Sequence, residues 1–183
     1  MEYEFMLTKQ SSALLIVDVQ GKLSEQMHNS KELFNNLAVL IQVAKLFEIP
    51  IVWAEQLPEK LGKTHPDIAK HLLGKPFEKS SFSVCGDDDI REEIERVNRK
   101  NWIVAGLECH VCVYQSVRDL ISMGKQVHLV ADAVSSRTLS NKEISLQAMK
   151  TAGANLTSTE MAIFELQQKA EGDVFRQMIK LIK

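Results

Sequence analysis

Residues 13–19 read ALLIVDV, apolar at every position but one. A strand with one wet face alternates apolar and polar side chains. An unbroken apolar run therefore predicts a strand covered on both sides, as in a parallel sheet flanked by helices. The single acid in the run, Asp18, falls at its carboxyl end, which is where sheets of that kind place their chemistry.

The rest of the chain keeps the same rhythm. Leu33, Phe34, Leu37, Leu40, Ile41, Ala44 and Phe47 recur at three- and four-residue spacing and predict a helix over 30–48. Asn29 and Glu32 supply its cap and Pro50 its stop. IVWA (51–54) is a second strand. Residues 56–75 form a long loop with a helical turn at 66–73, a length usually tied to function or mobility. PFEK (76–79) fits a short edge strand, because Pro76 cannot donate to a ladder. Asp87 is expected to cap a helix that buries Ile90, Ile94 and Val97.

Strand 102–106 leads to a helix that begins near Cys112, turns Val113, Val117, Leu120 and Ile121 inward, and stops at Gly124. QVHLVA (126–131) is a strand, and Ser140 with Glu143 spells a capping box for a helix ending at Gly153. A strand at 155–159 and a helical tail from about 160 complete the pattern. Six strands separated by helices predict an α/β three-layer sandwich with a mainly parallel, Rossmann-like sheet in the order 3-2-1-4-5-6.

The 183 residues suit one domain, 1–183. A net charge of −2 gives no reason to expect a nucleic-acid or membrane-surface partner. MEYEFMLTKQSS has acids where a secretory leader has bases, and no apolar run approaches the roughly 20 residues of a membrane span. Three cysteines are too few for a disulfide framework, so the expected location is cytoplasmic, with reduced thiols.

Three residues carry the functional expectation. Cys112 stands where a strand hands over to a helix, among unpaired N–H groups that favour a thiolate and could hold an oxyanion. Asp18 and Lys79 end two other strands and could supply a base and a balancing cation. Each has a plain alternative: a brace for Asp18, a solvated side chain for Lys79, a small buried hydrophobe for Cys112. It is their placement on three strand ends that favours function. Gln20, Trp53, Gln56 and Phe82 are candidate pocket-lining residues; Trp53, Phe82 and Tyr114 can equally be packing.

Cys109 and Cys112 also spell C-x-x-C. A zinc site needs about four ligands, and no second pair accompanies this one. A redox pair is open, although His110-Val111 replaces the usual Pro or Gly. His110 reads as a surface or gate residue. His65 and His71 lack partners at metal-ligand spacing, and no phosphate-cradling glycine motif occurs. The expectation is no metal and no cofactor.

At this point the chain resembles the isochorismatase-like (cysteine hydrolase) superfamily over nearly its whole length. The resemblance rests on ALLIVDVQ (13–20), EKSSFS (78–83), GLECHVCVYQSVRDL (106–120), VADAVSS (130–136) and AGANLTSTEMAIFEL (152–166). It implies an Asp18–Lys79–Cys112 triad, with Cys112 and not Cys109 as nucleophile. It implies oxyanion donors in the backbone N–H groups of Glu108 and Cys112, and a cis peptide at Leu107–Glu108. The nicotinamidase branch holds a metal with an Asp and two His after the second strand. Here that segment reads Trp53-Ala54-Glu55-Gln56-Leu57-Pro58, which resembles the metal-free isochorismatase-domain proteins instead. Family members that cleave isochorismate lack the cysteine, so Cys112 argues against that substrate.

Two functions from different classes follow. One is a metal-independent hydrolase of a small amide-like C–N bond, working through a thioester. The other is a weakly active or non-catalytic oligomeric binding module on the same fold. Phe164, Leu166, Phe175 and Ile179 in the tail motivate a homo-oligomer.

Overall fold

A computed structural model of the chain describes residues 6–182. Glu2 and Glu4, on which the argument against a leader leans, lie outside them. Six strands are present: β1 (Ser12–Val17), β2 (Ile51–Gln56), β3 (Phe77–Lys79), β4 (Asn101–Gly106), β5 (Gln126–Val134) and β6 (Asn155–Thr157). They pair in the order β3-β2-β1-β4-β5-β6, and every pairing is parallel. All six residues of β1 are buried, and so are all six of β4, which is why both read as continuous apolar runs.

Alternation along those strands builds two cores. Leu14, Ile16, Ile103, Ala105 and Val130 face one side, against α2 (Ser30–Leu46), α8 (Thr159–Gln167) and α9 (Gly172–Ile182). Ala13, Leu15, Val17, Val104 and Leu129 face the other, against α5 (Asp88–Val97), α6 (Tyr114–Ser122) and α7 (Leu139–Thr151). Each fully buried aliphatic side chain contributes about 1.5–3 kcal/mol, so both layers are held mainly by this burial. Three short helices lie between strands: α1 (Gly21–Glu25), α3 (Pro58–Leu61) and α4 (Pro66–Ala69). Helix α4 falls within the helical turn expected at 66–73, while α3 adds a turn to the stretch expected as loop.

Strand order reverses between β1 and β4, which opens a crevice at their carboxyl ends. Gly106 lets the two ends come close: its φ is +126°, and a Cβ there would run into the Val17 carbonyl. Leu107 N–H then donates to Val17 O at 2.7 Å.

Three expected caps differ. Asn29 adopts a left-handed conformation with φ 53° and donates to Glu32 rather than capping α2. Asp87 makes no side-chain cap on α5; its carboxylate accepts instead from Ser80 N, Ser81 N and Ser81 Oγ. Helix α7 is capped by Thr138, whose hydroxyl accepts from Asn141 N, two residues before the expected Ser140. The tail also differs: Leu166 is buried, Phe175 and Ile179 pack on the core, and Phe164 stays exposed. Among the described residues no helix is long and apolar enough to cross a membrane.

Candidate active site

Asp18 is the first residue beyond β1. It holds φ 49°, a left-handed conformation that Asp tolerates better than most residues and that turns the chain sharply at the crevice. Its side chain is buried, 6% exposed, and neither carboxylate oxygen has a hydrogen bond of ordinary geometry. Lys79 Nζ lies 2.8 Å from Oδ2. The ammonium directs its N–H groups elsewhere: to Gln56 Oε1 at 2.6 Å, and to the carbonyls of Ser81 and Phe82 at 3.0 Å each. The acid and amine thus attract each other as charges, while Lys79 is held by three oxygens around it. Burial raises the proton affinity of Asp18 above the usual carboxylate value, and the Lys79 charge opposes this without cancelling it.

β2 separates β3 from β1, so Lys79 has to cross its end to reach Asp18. Gln56, the last residue of β2, guides it. Its Oε1 accepts from Lys79 and its Nε2 donates to Ser80 O at 2.8 Å. Gln20 in turn accepts from Gln56 N at 2.6 Å and donates to Gln56 O at 3.1 Å and Gly62 O at 2.6 Å. Both glutamines therefore hold the site together. Asp87 acts from beneath, fixing the Ser80–Ser81 turn whose neighbouring carbonyls grip the lysine.

Cys112 sits inside a π-helical turn, Cys109–Val113, that precedes α6. Such turns are rare and concentrate at functional sites. Here the Glu108 carbonyl accepts from both Val111 N and Val113 N, at 3.0 and 3.2 Å. Ser116, one turn on, donates to Cys112 O at 2.7 Å and accepts from Val84 N at 3.0 Å, which links the turn of Cys112 to the segment that grips Lys79. Cys109 points away into the core, its sulfur 3.0 Å from Ser145 Oγ.

Two expectations change at this turn. The thiol of Cys112 is not poised as a thiolate: burial pushes its pKa up to about 12, and the ionised Asp18 beside it adds to the rise. The Lys79 charge opposes the rise without cancelling it. The second change is the Leu107–Glu108 peptide, which is trans, as are all peptide bonds among the described residues. Glu108 is extended, with φ −79° and ψ 135°. The amides on either side are satisfied in that geometry, Leu107 N by Val17 O and Cys109 N by Ser135 O.

Asp18 and Cys112 line one cavity of about 210 Å³, together with Gln20, Gln56, Phe82, Glu108 and an apolar wall of Leu23, Leu61, Leu107 and Val111. Lys79 stands behind Asp18, out of contact with the opening. Phe82 lies over the mouth, 55% exposed. Trp53 does not reach the cavity. It is three residues short of the end of β2, is buried in the α2-side core, and donates from Nε1 to Leu73 O at 3.4 Å. Glu55 is buried with its Oε1 engaged by Thr64 N and Oγ1, at 2.6 and 2.7 Å. His65 caps α4 by accepting from Asp67 N.

Sequence reasoning passed over Ser116 and the carboxylate of Glu108. Ser116 had a readable signal, a serine four residues beyond the cysteine, which can bond back to that residue's carbonyl. Glu108 had none, because its role depends on a cavity.

Residues 12–161 match the Isochorismatase domain. This chain belongs to the isochorismatase family. Among family members, the secreted isochorismatase effector Isc1 of Phytophthora sojae is 35% identical, over 97% of this chain and 87% of that protein. The structure of MAR1 ribonuclease from Caenorhabditis elegans superposes with a TM-score of 0.90 at 33% identity, over 97% of this chain and 92% of that one. YcaC from Escherichia coli, described as an octameric hydrolase of unknown specificity, gives a TM-score of 0.92 at 21% identity, over 99% and 92% of the two chains. The last similarity is one of fold.

Proposed function

We propose that this isochorismatase-family chain is a single-domain hydrolase that cleaves a small amide-like C–N bond without a metal, with Asp18, Lys79 and Cys112 as its triad. The observation that carries the reading is the Asp18 carboxylate, buried beside Lys79 with neither oxygen in an ordinary hydrogen bond, in the same small cavity as the Cys112 thiol. A buried carboxylate kept ionised by a cation yet short of donors is a base awaiting a proton.

In the reaction, Sγ attacks the substrate carbonyl carbon while the S–H proton passes to Asp18. The backbone amides of Glu108 and Cys112 hold the developing oxyanion. The C–N bond then breaks, the nitrogen leaves with the proton from Asp18, and a thioester remains. Asp18 next takes a proton from water as the oxygen attacks the thioester. The C–S bond breaks, the sulfur recovers the proton, and a carboxylic acid departs. The raised thiol pKa fits this sequence, in which no free thiolate is needed before attack.

The printed name of the C. elegans relative raises RNA cleavage as a second activity. The site argues for the amide. A phosphodiester calls for exposed cations around its phosphate. This cavity is lined by the acids Asp18 and Glu108, and Lys79 lies behind them with its N–H groups engaged.

We further propose a cytoplasmic homo-oligomer. The free thiols of Cys85, Cys109 and Cys112 fit a reducing compartment. Exposed Phe82, Leu61 and Leu57 near the cavity mouth, with the octameric YcaC as a structural neighbour, support assembly. Light scattering is expected to give a multiple of one chain's mass; the mass of one chain would rule assembly out.

Mass spectrometry tests the chemistry. Exposure to a library of small amides is expected to leave an acyl mass on Cys112, and Cys112→Ala to lower hydrolysis at least roughly 10³-fold. Unchanged turnover in that variant would remove Cys112 from the chemistry, and a wild type that hydrolyses none of the amides would leave the fold as a binding module.

A further inference from the structure

The cavity wall is unbalanced in its hydrogen-bonding groups. Gln20 and Gln56 direct their amides at backbone and at Lys79, and Lys79 directs its own donors at Gln56, Ser81 and Phe82. What faces the opening is acceptor: Asp18, whose Oδ2 is ion-paired with Lys79 but whose oxygens take no hydrogen bond of ordinary geometry, and Glu108. Glu108 is largely buried at the rim, its side chain 14% exposed, and it takes Arg137 Nε on Oε1 at 2.8 Å. Arg137 approaches from outside, 56% exposed, and does not line the cavity. Oε2 of Glu108 takes no protein donor among the described residues. The charge of Glu108 reaches the sulfur, since it contributes to the raised pKa of Cys112.

We infer that Glu108 selects the substrate: its free carboxylate oxygen accepts an N–H from the nitrogen end of a small, uncharged primary carboxamide. This inference rests on the hydrolase reading above. A carboxamide presents two N–H donors and one carbonyl, which complements acceptors on the wall and backbone donors behind. A substrate bearing its own carboxylate would meet two acids whose cations, Lys79 and Arg137, are already paired with them and do not line the cavity, and would be disfavoured at the rim. Leu23, Leu61, Leu107 and Val111 suit an apolar acyl group. The volume, about 210 Å³, equals roughly seven waters, so the acyl part is short. Glu108 thereby has two separate parts in the site: its main chain faces the oxyanion and its side chain reads the leaving group.

Iodoacetamide and iodoacetate test this without requiring turnover. They deliver the same carbon to sulfur, one carrying a carboxamide and the other a carboxylate. The rate ratio for Cys112 alkylation, followed by mass spectrometry, is to be set against the same ratio for free cysteine. The wild type is expected to favour iodoacetamide by about tenfold more than free cysteine does, the size of a lost hydrogen bond to a charged group. Glu108→Gln is expected to bring the ratio back toward that of free cysteine. Arg137→Gln, which leaves the Glu108 charge uncompensated, is expected to widen it. A ratio in Glu108→Gln equal to the wild type's, or a wild type that favours iodoacetate, overturns the inference. Selective alkylation without any hydrolysis of propionamide would instead count against the hydrolase reading and leave Glu108 as an amide-recognising group.

Discussion

At the scale of single residues, the site depends on two buried groups coupled in one direction: the Asp18 charge makes Cys112 harder to ionise, while the thiol, donating toward the carboxylate, eases the ionisation of Asp18 that burial opposes. Asp18 is buried and Cys112 is buried, and the charge of one raises the pKa of the other. Lys79 allows one negative charge between them. The proposed mechanism starts from carboxylate and thiol, with a single proton to move. Asp18→Asn separates the two effects of the acid. Removing its charge is expected to lower the Cys112 pKa from about 12 by about one to three pH units, read from the ultraviolet absorbance of the thiolate. Hydrolysis is nevertheless expected to fall by roughly a hundred- to ten-thousandfold, because the base is lost. A variant that kept its activity with the more acidic thiol would show that Asp18 only restrains the sulfur. That Asp18, Lys79 and Cys112 come together was legible from their strand ends. The thiol's raised pKa was not, because the helix-start argument counts nearby N–H groups and cannot count the burial and neighbouring acid that outweigh them.

At the scale of elements, the sheet strands were the most legible part, since burial on both faces leaves a continuous apolar signature in β1 and β4. Caps were less so: Asn29, Asp87 and Ser140 are suitable residue types whose side chains are not the ones that cap. Cap chemistry is shared by many Ser, Asp and Asn residues, and tertiary partners choose among them. The π turn at Cys109–Val113 had no sequence signature either, yet it sets where the sulfur points. Ser116 is its main tether. Ser116→Ala leaves the buried Val84 N–H without its acceptor, a cost of about 1–3 kcal/mol in stability. It also frees the turn from the segment that holds Lys79. The expected outcome is a lower denaturation midpoint together with a fall in kcat larger than the change in KM. Loss of stability with kcat intact would make Ser116 a support of the fold alone.

At the scale of the whole molecule, alternation and handedness lead to a parallel sheet between two helical layers, and the observed order 3-2-1-4-5-6 is one of the doubly wound orders they allow. What alternation cannot reveal is a polar side chain carried into a core by its register. His128 in β5 is such a residue, 4% exposed, with Nε2 buried and unpartnered. Burial alone lowers its pKa to about 4 from the ordinary 6.5. The folded chain therefore binds fewer protons than the unfolded chain between those two values, and stability falls as pH drops through that window. Above pH 6.5 both states are neutral and the contribution is fully present; below about 4 both are protonated and the loss is complete. The depth of the loss is about 3 kcal/mol. That is a large share of the 5–15 kcal/mol typical of a native protein. His128→Leu removes the titrating group and leaves no unpaired polar atom in its place. Its unfolding free energy at neutral pH is expected to match or exceed the wild type's, and to decline less between pH 6.5 and 4. Carboxylates titrating elsewhere act on both proteins alike, so the difference between the two curves isolates the histidine. Denaturant titrations at matched protein concentration check this, since assembly would otherwise shift both midpoints. Parallel curves across that range would mean that the imidazole finds water or a partner on protonation, and that the acid sensitivity of the fold lies in its carboxylates.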